Sequence, residues 1–176
     1  MFMTTSSAMA QGARFEVIDG LRYLLDTGAK AAALMPKTDS KYSGDIVVPE
    51  KVNSSDGMEY VVTSFEKRCF YDCSGIKAIT IPSSVTLLGD GCFSYCSSLT
   101  SITIPSSVTS LDSFCFSGCS GLTSITIPSS VTSLDFDCFE DCSGLETIYF
   151  KGKVPKYASL SYIPITTIIK VPTEYL

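Results

Sequence analysis

Hydrophobic and polar positions recur at a fixed interval through the middle of this chain. The six residues Ile81–Thr86 (IPSSVT) return unchanged at Ile104–Thr109 and at Ile127–Thr132, each time 23 residues further along. Cysteine–phenylalanine pairs begin at positions 69, 92, 115 and 138, with the same spacing. Self-similarity at a constant period predicts a repeat solenoid, in which each unit packs against its neighbours.

Each unit begins with the pattern of a short strand. In the unit that starts at Leu99, the side chains of Leu99, Ile102 and Ile104 are apolar, and the last two alternate with polar neighbours. Alternation of this kind is typical of a strand that buries one face. Pro105 has no amide hydrogen to donate, so we expect the strand to end there.

A second apolar cluster follows later in each unit. Cys115, Phe116 and Cys119 are three and four residues apart, so a short helical or 3₁₀ turn over residues 112–119 would place them on one side. Gly121 interrupts that turn before the next strand. A single unit buries too little apolar surface to fold alone, so the stacked units are expected to share one core.

The string from Cys96 to Leu111 (CSSLTSITIPSSVTSL), with Cys115-Phe116 after it, closely resembles the BspA-like, Treponema-type, leucine-rich repeat. The resemblance covers Val61 to about Ile148, and cysteine replaces the family's alanine before phenylalanine in every unit. It implies a leucine-rich-repeat solenoid, mainly β with short 3₁₀ or α turns, and relatives that include cell-surface adhesins.

The flanks of the repeats do not follow the pattern and are predicted to be caps, because an open stack would expose an apolar surface at each end. An antiparallel hairpin that turns at Asp19-Gly20 is expected in the first cap. The chain is divided into a disordered tail or signal remnant at 1–12, an N-terminal β cap with a first irregular repeat at 13–60, repeats at 61–149 and a C-terminal cap at 150–176.

The first residues leave two interpretations open. Ala8-Met9-Ala10 has the small-x-small pattern of a signal-peptidase site, but the residues before it lack a basic start and an apolar stretch. The segment is therefore either the remnant of a secretory signal or a disordered polar tail.

Composition argues against catalysis and nucleic-acid binding. The chain contains no histidine, which removes the commonest general base and neutral metal ligand. Its formal net charge of −5 offers no attraction to a phosphate backbone, and no apolar run is long enough to cross a membrane. We therefore expect no enzyme activity, no cofactor, no nucleic-acid partner and no membrane insertion.

The eight cysteines form four C-x₃-C pairs, which are Cys69 and Cys73, Cys92 and Cys96, Cys115 and Cys119, and Cys138 and Cys142. Disulfides between units, or a metal ladder, are conceivable because equivalent side chains stack about 4.8 Å apart. Zinc and iron–sulfur sites, however, usually gather four ligands with a shorter C-x₂-C spacing. We interpret these cysteines as small buried hydrophobes that line the core without a bound metal.

The outward side of the strands is the candidate binding surface. Side chains on either side of the inward isoleucines point away from the core, because strand side chains alternate. In successive units they are Ala78 and Thr80, Ser101 and Thr103, Ser124 and Thr126, and Thr147 and Tyr149, which together we call the strand-face ladder. Its hydroxyls suit a protein or glycan ligand, although threonine is equally favoured on any solvent-facing strand.

Two functional hypotheses from different classes remain, with a redox-active or metal-binding cysteine ladder as a third. The resemblance implies a microbial surface or secreted protein that mediates attachment to a protein or glycan. The many apparently unpaired cysteines favour instead an intracellular structural or scaffolding repeat protein. No pattern in the sequence identifies the partner or the oligomeric state.

Overall fold

Short strands provide nearly all the regular secondary structure in the computed structural model, which describes residues 12–155, 158, 160 and 162–175. In chain order they are β1 (Ala13–Ile18), β2 (Leu21–Asp26), β3 (Ala31–Leu34), β4 (Ser43–Val47), β5 (Lys51–Asn53), β6 (Glu59–Phe65), β7 (Gly75–Thr80), β8 (Leu87–Leu88), β9 (Ser110–Leu111), β10 (Ser124–Ile127), β11 (Ser133–Leu134), β12 (Thr147–Phe150) and β13 (Ile168–Lys170). The one helical element in those residues is a 3₁₀ turn at Thr173–Tyr175. The prediction of a mainly β fold is confirmed.

An antiparallel hairpin begins the described chain and leads into parallel pairing. Ile18 of β1 lies opposite Leu21 of β2. Asp19 and Gly20 between them have φ values of 49° and 79°, as a two-residue turn of the mirror-image type requires. β2 then pairs antiparallel with β3, which runs parallel to β6. The hairpin predicted at Asp19-Gly20 is confirmed, whereas the predicted tail falls outside the described residues except for Gly12.

The parallel pairs β9–β11 and β10–β12 join residues that are 23 positions apart. Ser110 of β9 lies beside Ser133 of β11. Thr126 of β10 lies beside Tyr149 of β12, and an isolated bridge joins Thr126 to Thr103 on its other side. At these places, equivalent residues of neighbouring units are direct backbone partners.

A column of phenylalanine rings runs through the apolar core. Phe70, Phe93, Phe116 and Phe139 are all fully buried. The centroids of successive rings are 5.4, 5.3 and 5.7 Å apart, and their planes are within 7° of parallel. Each inner ring therefore contacts two others, and aromatic pairs of this kind are worth about 0.5–1.5 kcal/mol beyond the burial of their area.

The segment around each cysteine–phenylalanine pair is a series of β-turns, so the prediction of a helical or 3₁₀ turn at these places is wrong. The amide of Ser117 donates to the carbonyl oxygen of Phe114, three residues back. The amide of Phe116 donates instead to the carbonyl oxygen of Cys138 in the next unit, at 2.9 Å. The same alternation occurs over residues 68–73 and 91–96. A helix would direct its amides along its own axis and could not join the units in this way.

Two glycines allow successive units to approach each other closely. A Cβ atom on Gly121 would lie 2.4 Å from the carbonyl oxygen of Ser97, and one on Gly144 would lie 2.3 Å from that of Ser120. Neither glycine has a positive φ value. Glycine is needed at both positions because there is no room for a side chain between the units, and not because the backbone conformation is unusual.

We expect Phe116→Ala to lower the free energy of unfolding by about 3–5 kcal/mol, because it leaves a cavity in a close-packed ring column. Denaturant unfolding followed by circular dichroism would measure the change. Thr103→Ala, which truncates an exposed strand residue, is the control and should shift the unfolding free energy by no more than about 0.5 kcal/mol. An unfolding midpoint that Phe116→Ala leaves unchanged would contradict this account of the core.

Candidate binding surface

The strand-face ladder comes from three strands and the segment between them. Ala78 and Thr80 lie on β7, Ser101 and Thr103 on the segment before Pro105, Ser124 and Thr126 on β10, and Thr147 and Tyr149 on β12. Ala78, Thr80, Ser101, Thr103 and Tyr149 are exposed, and the other three are partly buried. The isoleucines between these pairs, Ile79, Ile102, Ile125 and Ile148, are buried.

Backbone pairing brings one part of the ladder together. Thr103, Thr126 and Tyr149 lie side by side in successive units, and Ser124 lies beside Thr147. Because these positions share backbone partners, their hydroxyl groups form rows on a rigid sheet.

Ala78 and Thr80 have different neighbours. They lie beside Asp45 and Val47 of β4, with a register irregularity between Gly44 and Asp45. Val47 is 70% exposed and adds an apolar side chain to this end of the surface. The sequence Asp45-Ile46-Val47-Val48-Pro49 looks like a repeat strand followed by its proline, and this pattern predicts outward positions at Asp45 and Val47.

β13 extends the surface at the other end. Ile168 lies beside Thr147 and Lys170 beside Tyr149, and both Ile168 and Lys170 are exposed. The ammonium nitrogen of Lys170 lies 5.0 Å from the ring centroid of Tyr149, which is cation–π distance. These partners are 21 positions apart, so the repeat spacing does not reveal them.

The cysteines take no part in this surface. All eight are free and buried, with exposed fractions of 0–2%. The thiol of Cys96 donates to the carbonyl oxygen of Phe70 at 3.2 Å, and that of Cys119 to Phe93 at 3.1 Å. Cys142 repeats the contact with Phe116 at 3.0 Å. In three of the four pairs, the second cysteine thus links its unit to the one before, a role that spacing alone does not reveal.

Burial makes the thiols poor nucleophiles and poor metal ligands. It raises the pKa of Cys96 and of Cys142 to about 12, and it raises the pKa of Cys69, Cys92 and Cys115 well above the usual range. The thiolate is the reactive and metal-binding form, and it is scarce at neutral pH under these conditions. Within the described residues, no three His, Cys, Asp or Glu side chains are grouped as a metal site would require.

The fold and the recurring residues define a leucine-rich-repeat protein. Residues 58–170 match the BspA type leucine rich repeat region in six copies, and the chain belongs to that family. No curated protein sequence matches the chain significantly. No helix in the part of the chain that the structure describes is long and apolar enough to span a membrane.

Solved structures of bacterial leucine-rich-repeat proteins are similar to this chain. A leucine-rich repeat protein from Bacteroides capillosus is 27% identical with a TM-score of 0.66, covering 78% of this chain and 99% of its own. A leucine rich cell surface protein from Faecalibacterium prausnitzii is 25% identical with a TM-score of 0.73, covering 89% of this chain but 39% of its own. The T. pallidum leucine rich repeat protein, 19% identical with a TM-score of 0.63, covers 88% of this chain and 63% of its own and shows the likeness of fold alone.

The buried thiols predict a loss of stability at alkaline pH. An exposed cysteine ionises near pH 8.5, whereas the pKa of Cys96 is about 12 in the folded chain. The unfolded chain therefore releases protons first, so stability is unaffected below pH 8.5 and falls as pH rises toward 12. Each such thiol lowers the free energy of unfolding by up to about 1.4 kcal/mol per pH unit in that range. Unfolding free energies from pH 7 to pH 11 would measure the slope.

A variant with alanine at Cys69, Cys92, Cys115 and Cys138 is the matched control, because those thiols are buried and alanine does not ionise. Its stability should fall less steeply with pH. Equal slopes for the two proteins would show that the thiols do not set the alkaline limit.

Proposed function

We propose that this protein is a non-catalytic binding module that presents the strand-face ladder to a protein ligand. In this proposal, 23-residue units at residues 61–149 stack as a solenoid between an N-terminal β cap with a first irregular repeat at 13–60 and a C-terminal cap at 150–176. The observation that carries the proposal is the row Thr103, Thr126 and Tyr149, which backbone pairing places side by side. Members of repeat families commonly use extended surfaces of this kind for binding.

The chemistry of the ladder suits a protein surface. Its hydroxyls can both donate and accept hydrogen bonds, so they pair with the backbone and side chains of a partner. Tyr149 and Lys170 add an aromatic ring and a cation at one end, and tyrosine is enriched in protein interfaces. A sheet is already ordered before binding, so little conformational entropy is lost when a ligand docks.

We further propose that the protein acts in attachment at a microbial cell surface or after secretion. The similarity to a protein described as a leucine rich cell surface protein supports this location. The alternative is an intracellular scaffold, which the eight free cysteines favour, because disulfides are rare in reducing compartments. Protease treatment of intact cells would separate the two, since a surface protein is digested while the cell remains closed.

Replacing Thr103 and Thr126 together by alanine should weaken ligand binding about 5- to 150-fold, from the loss of two hydrogen bonds of about 0.5–1.5 kcal/mol each. Stability should stay nearly constant, because Thr103 is exposed and Thr126 is only partly buried. Binding to immobilised extracellular-matrix proteins and to mucin would be measured by biolayer interferometry.

Thr109→Ala is the matched control, because Thr109 is an exposed threonine outside the strand-face ladder. It should bind as the unaltered protein does. Equal affinity of the double variant and the control would rule out the ladder as the binding surface.

A further inference from the structure

Tyr95 and Phe114 are exposed aromatic residues in a backbone conformation that bulky residues rarely adopt. Their φ values are 61° and 58°, in the left-handed region where a side chain crowds the backbone. Their exposed fractions are 46% and 41%, so large parts of both rings contact solvent. Burial in the core therefore does not explain why these two turns carry aromatic side chains.

The neighbouring units show that the same turns form without an aromatic ring. Gly91 and Gly118 stand one repeat away from Phe114 and Tyr95, and their φ values of 61° and 70° are equally left-handed. Glycine is the residue that this conformation favours. The turn imposes this conformation in the other units as well, where Arg68, Asp72, Asp137 and Asp141 also have positive φ values. The aromatic side chains are therefore what the turn does not require, and bulky residues kept in a strained conformation are indicators of function.

The two rings border a groove of about 280 Å³ that crosses successive turns. Tyr71 lies in the same groove, with its ring edge-on to that of Tyr95 at a centroid distance of 5.7 Å. Gly118 leaves room for the ring of Tyr95, because a Cβ atom there would lie 2.5 Å from it. The volume is close to the lower end of the roughly 300–1,000 Å³ range of small-molecule sites, so the groove can hold only a short part of a larger ligand.

The charges in the groove balance. Arg68 from the first of these units and Glu140 from the last both line it, and neither forms an ion pair with another described residue. Asp90 also lines it, but its carboxylate is 2.6 Å from the ammonium group of Lys67. With one guanidinium and one carboxylate available, the groove has no net charge to attract a polyanion or a polycation.

We propose that this groove binds an uncharged glycan. The apolar C–H face of a pyranose ring packs against the exposed rings of Tyr95 and Phe114. Sugar hydroxyls accept hydrogen bonds from the Arg68 guanidinium and donate them to the Glu140 carboxylate, which matches the balanced charge. The groove shares no residue with the strand-face ladder, so this second surface does not depend on the ligand proposed there.

The test uses Tyr95→Gly and Phe114→Gly in the full chain. Affinity gel electrophoresis with mannan, xylan and a soluble β-glucan provides uncharged probes, and heparin provides an anionic one. We expect at least one uncharged polysaccharide to retard the unaltered protein, and each variant to bind it at least tenfold more weakly. The Tm of Phe114→Gly should be unchanged or higher, because glycine relieves the backbone strain.

Two further variants serve as references. Phe136→Ser removes a ring that is 75% exposed and lies outside the lining of the groove, so it should retain full polysaccharide binding. Glu140→Gln keeps the size of the side chain but removes its charge, and it should weaken binding without a change in Tm. The variant with alanine at both Thr103 and Thr126 should also bind polysaccharide normally. The groove proposal and the proposal that the strand-face ladder binds a protein can therefore fail independently.

Three results would overturn the proposal. The first is binding of heparin alone, and the second is the absence of binding to every uncharged polysaccharide. The third is a fall in Tm for Phe114→Gly that accompanies any loss of binding, because it would assign the ring to the fold.

Discussion

Hydrogen bonds between neighbouring units are the constraint on which the rest of this structure depends. Alternate amides of the first three cysteine–phenylalanine turns donate to the next unit, as Phe116 does to Cys138. Side chains add further links, since the Ser130 hydroxyl donates to the carbonyl oxygen of Val108 at 2.8 Å and the Cys119 thiol donates to Phe93. A donor that is out of register would leave a buried polar group unpaired, which costs about 1–3 kcal/mol. The constant spacing of the repeats is therefore what the contacts between them require.

The buried positions could be predicted because each contact repeats with the sequence. Ile102, Ile125 and Phe116 all lie in the core, where alternation and spacing place them. The turn conformation could not be predicted in this way, because apolar residues three and four apart also fall on one side of consecutive β-turns. A helical turn and consecutive β-turns differ in the acceptor of every second amide hydrogen. In the β-turns, that acceptor is a carbonyl oxygen of the neighbouring unit. Local spacing contains no information about that partner.

The candidate surface was predictable only where the repeat spacing holds. Thr126 and Tyr149 are 23 positions apart and pair directly, whereas β4 and β13 join the sheet at other spacings. Lys170 could not be found from the pattern, because it pairs with Tyr149 across 21 positions and not 23. The pattern before Pro49 predicts that Val47 points outward, but not that it lies beside Thr80, because a register irregularity interrupts the pairing of β4 with β7. The strands β4 and β13, which do not follow the repeat spacing, thus add an apolar group and a charged group to the ends of the candidate surface.

The same constraint determines where side chains are free to differ between units. A change at Phe116 affects contacts with both Phe93 and Phe139, so its cost falls on three units. A change at the left-handed turn positions affects mainly the local backbone, and the four units accordingly carry Arg68, Gly91, Phe114 and Asp137 there, all with positive φ values. Arginine, glycine, phenylalanine and aspartate have no packing property in common. Side chains at these turn positions can therefore differ from one repeat to the next, since such variation leaves the backbone contacts between repeats intact.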